Sequence, residues 1–212
     1  MEIARELSAH ARHPFTHQWL GSLLKKYKFP NDKVHDLIQQ QLLEPVKRGL
    51  YVAGPALKTG KPEPFLLANH IMGPSYVSVD TALFYYGLIP ERVYEIASMT
   101  IKSSREFSTP FGHFSYTRLP LPYYAFGIRQ IKLAEDQFVL AASPEKALCD
   151  RLITTSGLVF RSQKAAKAWL LEDLRMEEEQ LRQLDTKAML GWLKDAPKNE
   201  SLKNMIKVIE NV

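Results

Sequence analysis

Apolar positions in the first forty residues repeat at three- and four-residue spacing, the period of helices buried on one face. Glu2 to Ala9 predicts a short helix. Thr16 stands where a helix cap belongs, and Trp19, Leu20, Leu23, Leu24 and Tyr27 follow on one face. Phe29-Pro30 breaks that helix. Asn31 or Asp32 can cap a third helix, with Val34, Leu37, Ile38 and Leu42 inward and Lys33, His35, Asp36, Gln39 and Gln40 outward. The period then changes. Leu43-Glu44-Pro45-Val46 and Leu50-Tyr51-Val52 flank Lys47-Arg48-Gly49, which predicts a two-stranded hairpin with glycine where φ must be positive.

Residues 55–64 are rich in Pro, Gly and Lys and predict a linker. The next hundred positions mix the two periods. Phe65 to Ile71 predicts a helix, and Ser78 a cap for another that carries Val79, Ala82, Leu83 and Tyr86 and stops at Gly87. Strands are predicted at 93–99, 106–108, 114–119, 128–133 and 138–141. Ser143-Pro144-Glu145 then supplies cap, N1 proline and first-turn acid for a helix running to about Ile153. Apolar spacing from 162 to 212 is helical. The expected architecture is α+β: a winged helix-turn-helix over 1–54, a linker over 55–64, and a mixed α/β domain over 65–212 whose part from about 162 is a helical tail.

Charge distinguishes the two parts. Residues 1–62 hold ten Lys/Arg against five Asp/Glu, so they account for the whole net charge of +5, and the remainder carries eighteen of each sign. Four of the six histidines also lie in this first stretch. A locally basic segment points to a polyanionic partner, although a solvated surface can also be unevenly charged. The single cysteine, Cys149, rules out an internal disulfide or a cysteine zinc site. Together with the lack of an apolar leader or an 18-residue apolar run, it predicts a cytoplasmic protein with no membrane partner.

Signatures of catalysis are missing: there is no GxxxxGK[ST], GxGxxG, HExxH or GxSxG. His10, His13 and His17 have Pro14 among them and no nearby carboxylate, so they read as solvated or DNA-facing residues and not as metal ligands. His70, His113 and Asp80 are isolated in sequence and would need the fold to supply a partner. Phe84-Tyr85-Tyr86 and Tyr123-Tyr124 read as core or interface aromatics before base-stacking ones. No catalytic residue, metal or cofactor is expected.

The first 54 residues do suit DNA. A recognition helix needs hydrogen-bonding side chains outward and an apolar face inward. Lys33, His35, Gln39 and Gln40 are the candidate readers, with Asp36 departing from a purely basic footprint. Lys47 and Arg48 at the hairpin tip can lie along a phosphate backbone or enter the minor groove, and Tyr51 is a further DNA-binding candidate. The same architecture also serves as a protein-interaction module.

The stretch Leu43-Glu44-Pro45-Val46-Lys47-Arg48-Gly49-Leu50-Tyr51 resembles the wing of the AbiEi family, antitoxins of type IV toxin–antitoxin systems. Tyr76 to Leu83 with Tyr86 to Glu91, and Ala142 to Asp150, resemble two further stretches of that family in the same order. The likeness spans from about residue 15 to about residue 155, and the tail carries no matching motif. The resemblance implies a winged helix that binds inverted repeats in the operon's own promoter and represses it. It also implies a C-terminal antitoxin domain that counters a nucleotidyltransferase-like toxin, classically without a stable complex. The motif positions Ser78, Asp80, Gly87, Pro144, Lys146 and Asp150 read as caps, turns and helix-face charges. Two other readings stay open: a transcriptional regulator whose C-terminal domain senses a ligand or dimerises, and an enzyme built on 65–160.

Overall fold

The computed structural model describes residues 2–212. Among these it is a mixed α+β fold with ten helices and two sheets. None of the helices is long and apolar enough to cross a membrane.

The chain divides into two compact units. The first runs to Gly73 and takes in Ser108–Gly112 and Ile131–Val139. The second comprises Pro74–Phe107, His113–Gln130 and Leu140–Val212. Residues 55–64, expected as a linker, therefore lie within the first unit.

The first unit begins with α1 (Glu2–Ala9), β1 (Phe15–Thr16), α2 (His17–Leu23) and α3 (Pro30–Gln39). A hairpin of β2 (Leu43–Lys47) and β3 (Leu50–Ala53) follows, and then α4 (Pro64–Ile71). Leu7, Leu20, Leu24, Val34 and Leu37 from the helical part bury against Phe15, Leu43 and Ala53. Each large aliphatic side chain among them contributes on the order of 1.5–3 kcal/mol on leaving water. Thr16 caps α2 as its position predicts, its side chain accepting from the Trp19 amide at 3.2 Å. The start of α3 differs from expectation. Asn31 and Asp32 do not cap it; the helix opens at Pro30, whose fixed φ and missing N–H suit a first turn.

The expected two-stranded hairpin is a three-stranded sheet of order β1-β3-β2, since Phe15 and Thr16 pair with Tyr51 and Leu50. Two residues of extended chain are too few for a periodicity signal. Pro45 is tolerated because β2 is an edge strand. A register shift between Pro45 and Lys47 turns both Leu43 and Val46 inward, three residues apart. Gly54 packs against the chain leaving α3: a Cβ there would lie 2.1 Å from the Gln41 carbonyl oxygen. Gly54→Ala is expected to cost about 1–3 kcal/mol through this overlap, which urea unfolding of the variant would measure.

The larger sheet has the order β6-β7-β5-β4-β9-β8, from β4 (Ser75–Val77), β5 (Ile96–Thr100), β6 (Arg105–Thr109), β7 (Gly112–Arg118), β8 (Ile128–Ala134) and β9 (Gln137–Ala142). The β4–β5 pair is antiparallel, whereas β4–β9 and β5–β7 are parallel. In the second unit this sheet carries α5 (Val79–Tyr85) and α6 (Pro144–Thr154). After them come α7 (Gln163–Ala168), a π turn over Trp169–Asp173, α8 (Glu178–Arg182), α9 (Thr186–Trp192) and α10 (Asn199–Glu210). The helical tail is thus part of the main core: Leu202, Met205, Ile206 and Ile209 of α10 are buried in one cluster with Leu148 and Leu152 of α6. Ser143 caps α6 by accepting from the Lys146 amide at 3.2 Å. Ser143→Ala should therefore lower stability by about 1 kcal/mol, seen as a lower denaturation midpoint at unchanged slope.

Candidate nucleic-acid interface

The hairpin tip is built by its register. Lys47 pairs with Leu50, leaving Arg48 and Gly49 as a two-residue loop. Gly49 has φ +80°, which glycine adopts without the steric penalty of a Cβ. The Gly49 carbonyl accepts from the His17 amide at 2.9 Å, which fixes the tip against the first residue of α2.

Between this tip and the start of α3 lies a groove of about 590 Å³, lined by His17, Asn31, Val34, Arg48, Gly49 and Tyr51. Its polar groups are an imidazole, an amide, a guanidinium and a phenol. Among the described residues no carboxylate lines it. Such a surface presents donors to an anion or to base edges.

The seven residues expected to touch DNA fall in different places. Arg48 and Tyr51 line the groove together. Arg48 is exposed, and Tyr51 is half-buried in the central strand. His35, Gln39 and Gln40 are exposed on α3 or at its end. Lys47 is half-buried. Lys33 is turned aside: its Nζ sits 3.7 Å from the Asp36 carboxylate and 5.7 Å from the centre of the Tyr27 ring. The exposed face of α3 also bears Asp32 and Asp36, so it is mixed in charge and the groove beside it is not.

Several other cations of the basic segment are also paired. Arg12 meets Asp136 at 3.5 Å, Lys26 meets Glu2 at 2.5 Å, and Lys61 meets Glu44 at 2.6 Å. The net charge remains, and Arg5, Lys25, Lys28, Arg48 and Lys58 are the exposed cations of this segment for which no ion pair forms among the described residues. Sequence reasoning misses Asn31 as a DNA-binding candidate: it reads as a cap, although its helical phase already turns it outward. His17 reads from sequence as solvated or DNA-facing, and it reaches the tip through the β1–β3 pairing, which no sequence signal announces.

The remaining candidates for chemistry are separate from one another. His13 Nε2 lies 3.1 Å from the Asp136 carbonyl, and the His10 ring packs edge-on to Trp19. His70 Nδ1 lies 2.9 Å from the Leu66 carbonyl. His113 faces Glu106 at 3.7 Å, and Asp80 pairs with Arg151 at 2.7 Å. Among the described residues no cluster of His, Cys, Asp and Glu is arranged to hold a metal.

The second unit contains a polar network that the sequence does not foretell. Lys146 and Asp150, expected as helix-face charges, are both fully buried, with their charged groups 3.1 Å apart one turn along α6. Asp150 Oδ2 accepts from Tyr76 at 2.9 Å and Ser78 at 2.7 Å, and Oδ1 accepts from Tyr123 at 3.0 Å. Ser78 therefore does not cap α5 with its side chain; its hydroxyl donates to Asp150 instead. Lys146 Nζ donates to the Tyr123 carbonyl at 2.9 Å and lies 3.2 Å from the centre of that residue's ring. Burial pushes the Asp150 carboxyl up and the Lys146 ammonium down, while their mutual attraction and the hydroxyls donating to Asp150 oppose these shifts. With every member sealed from solvent, this network ties β4, α6 and the turn at Tyr123 together.

No protein-family model matches the chain, and no curated protein matches it.

Proposed function

We propose that residues up to about 54 form a winged helix that binds double-stranded DNA. In this reading α3 is the recognition helix and the β2–β3 hairpin the wing. The observation that carries it is the carboxylate-free groove in which Arg48 at the hairpin tip faces Asn31 of α3, with His17 and Tyr51 between. The concentration of the chain's net charge in residues 1–62 supports it further.

More particularly, we propose an AbiEi-like antitoxin that represses its own operon and counters a nucleotidyltransferase-like toxin. This second step rests on the three ordered stretches around the wing, Tyr76–Glu91 and Ala142–Asp150. The inverted repeats of the promoter are the expected operator, and the toxin is countered with or without direct contact.

A gel-shift titration against the DNA upstream of its own reading frame tests the first step. Binding should weaken steeply as salt rises from about 50 to 200 mM, because neutralised phosphates release counterions. No shift, or one indifferent to salt, rejects DNA binding. Co-expression with the product of a neighbouring nucleotidyltransferase-like gene tests the second step, since growth should recover only when this chain is present.

A further inference from the structure

We propose that Asn31, at the groove-side edge of α3, is the side chain that reads a base edge. This rests on the DNA-binding reading above and goes beyond it by assigning specificity to a residue outside the expected set. His35 and Gln39 follow Asn31 at four and eight residues and share its strip of the helix, but the groove itself is lined on the α3 side by Asn31 and Val34. Lys33 and Gln40 fall about 200° and 180° round the helix from Asn31 at 3.6 residues per turn. Lys33 is also held by Asp36 and the Tyr27 ring. Gln40 is at the far end, roughly 13 Å along the axis at 1.5 Å per residue. Asn31 lies in the first turn, the part of a recognition helix that reaches base edges.

Charge complementarity selects the occupant. Among the described residues the groove holds Arg48 and no carboxylate, whereas the exposed Asp32 and Asp36 lie about 100° and 140° round α3 from Asn31. A duplex seated in the groove places a phosphate at Arg48, and neither Asp32 nor Asp36 lines that groove. Asn31 is exposed, and among the described residues its side chain makes no intramolecular hydrogen bond. Its amide offers an acceptor and a donor side by side, the pattern that matches adenine N6 and N7 in the major groove.

The test uses the full chain and a library of duplexes with a randomised centre. Wild-type protein selects a consensus, and binding is then measured on that duplex and on its single-base-pair substitutions. Wild type should discriminate about tenfold for A·T at one position of each half-site. Asn31→Ala should level that position alone, with the salt dependence and the thermal midpoint unchanged. The proposal is overturned if Asn31→Ala keeps full discrimination at every position, or if it weakens binding equally on all duplexes. It is also overturned if Gln40→Ala, and not Asn31→Ala, levels a position. If wild type binds no duplex at all, the DNA-binding reading fails, and this inference with it.

Discussion

Asp150→Ala is expected to destabilise the protein by about 3–5 kcal/mol, the cost of stranding one partner of a buried ion pair. The change leaves Lys146 fully buried without its counter-charge, and three hydroxyls, on Tyr76, Ser78 and Tyr123, lose their shared acceptor. At roughly 2–4 °C per kcal/mol for a chain of this size, the melting midpoint should fall by about 10 °C. Lys146→Met should cost less. Asp150 would still accept from three hydroxyls, and burial already favours its neutral form. Urea unfolding of both variants, followed by circular dichroism, measures the asymmetry. A larger cost for Lys146→Met would show that the ammonium rather than the carboxylate is the hub of the network, and equal costs would show that neither is. The double variant Lys146→Met with Asp150→Ala should regain part of the loss only, because the three hydroxyls stay unpaired.

The second large effect is on binding. Lys47→Ala combined with Arg48→Ala should weaken affinity for the operator and for unrelated DNA alike. It should also lower the slope of log affinity against log salt by about two, one for each phosphate that is no longer neutralised. Arg48 is exposed at the tip, and the hairpin is held by Gly49, its ladder and the His17 amide, none of which depends on these two side chains. The hairpin should therefore still form in the variant, and its circular dichroism spectrum checks this. Fluorescence anisotropy over a series of salt concentrations separates the outcomes. Unchanged affinity and slope would remove the hairpin from the DNA-binding surface. A loss confined to the operator would mean that the tip reads bases and does more than hold the backbone.

Much of the local structure is legible because it follows from local physics. Thr16 and Ser143 cap the helices that their positions foretell, since a side-chain oxygen before an amphipathic run has free amides within reach. Five of the larger sheet's six strands lie where β-branched and aromatic runs sit between turn residues, within a few positions at their ends, whereas β4 (Ser75–Val77) is too short to give a periodicity signal. The start of α3 is less legible because two signals compete there. Asn31 is a good cap, but Pro30 is a better first helical residue, and with the chain already turning at Phe29 the helix begins sooner.

What the sequence by itself determined is the class of most of the longer segments, the basic character of the first 62 residues and the inward face of α3, because periodicity and charge are properties of neighbours along the chain. Only the tertiary structure decided which groups meet. The β1–β3 pairing brought His17 to the hairpin tip, and helical phase combined with the hairpin's position set Asn31 opposite Arg48. Folding also drew Lys146 and Asp150 out of water, joining them to Tyr76, some seventy positions earlier. A charge is read from sequence as exposed because leaving water is costly. The exception arises where distant hydroxyls and a cation converge on one carboxylate, and that convergence is set by the packing of whole elements.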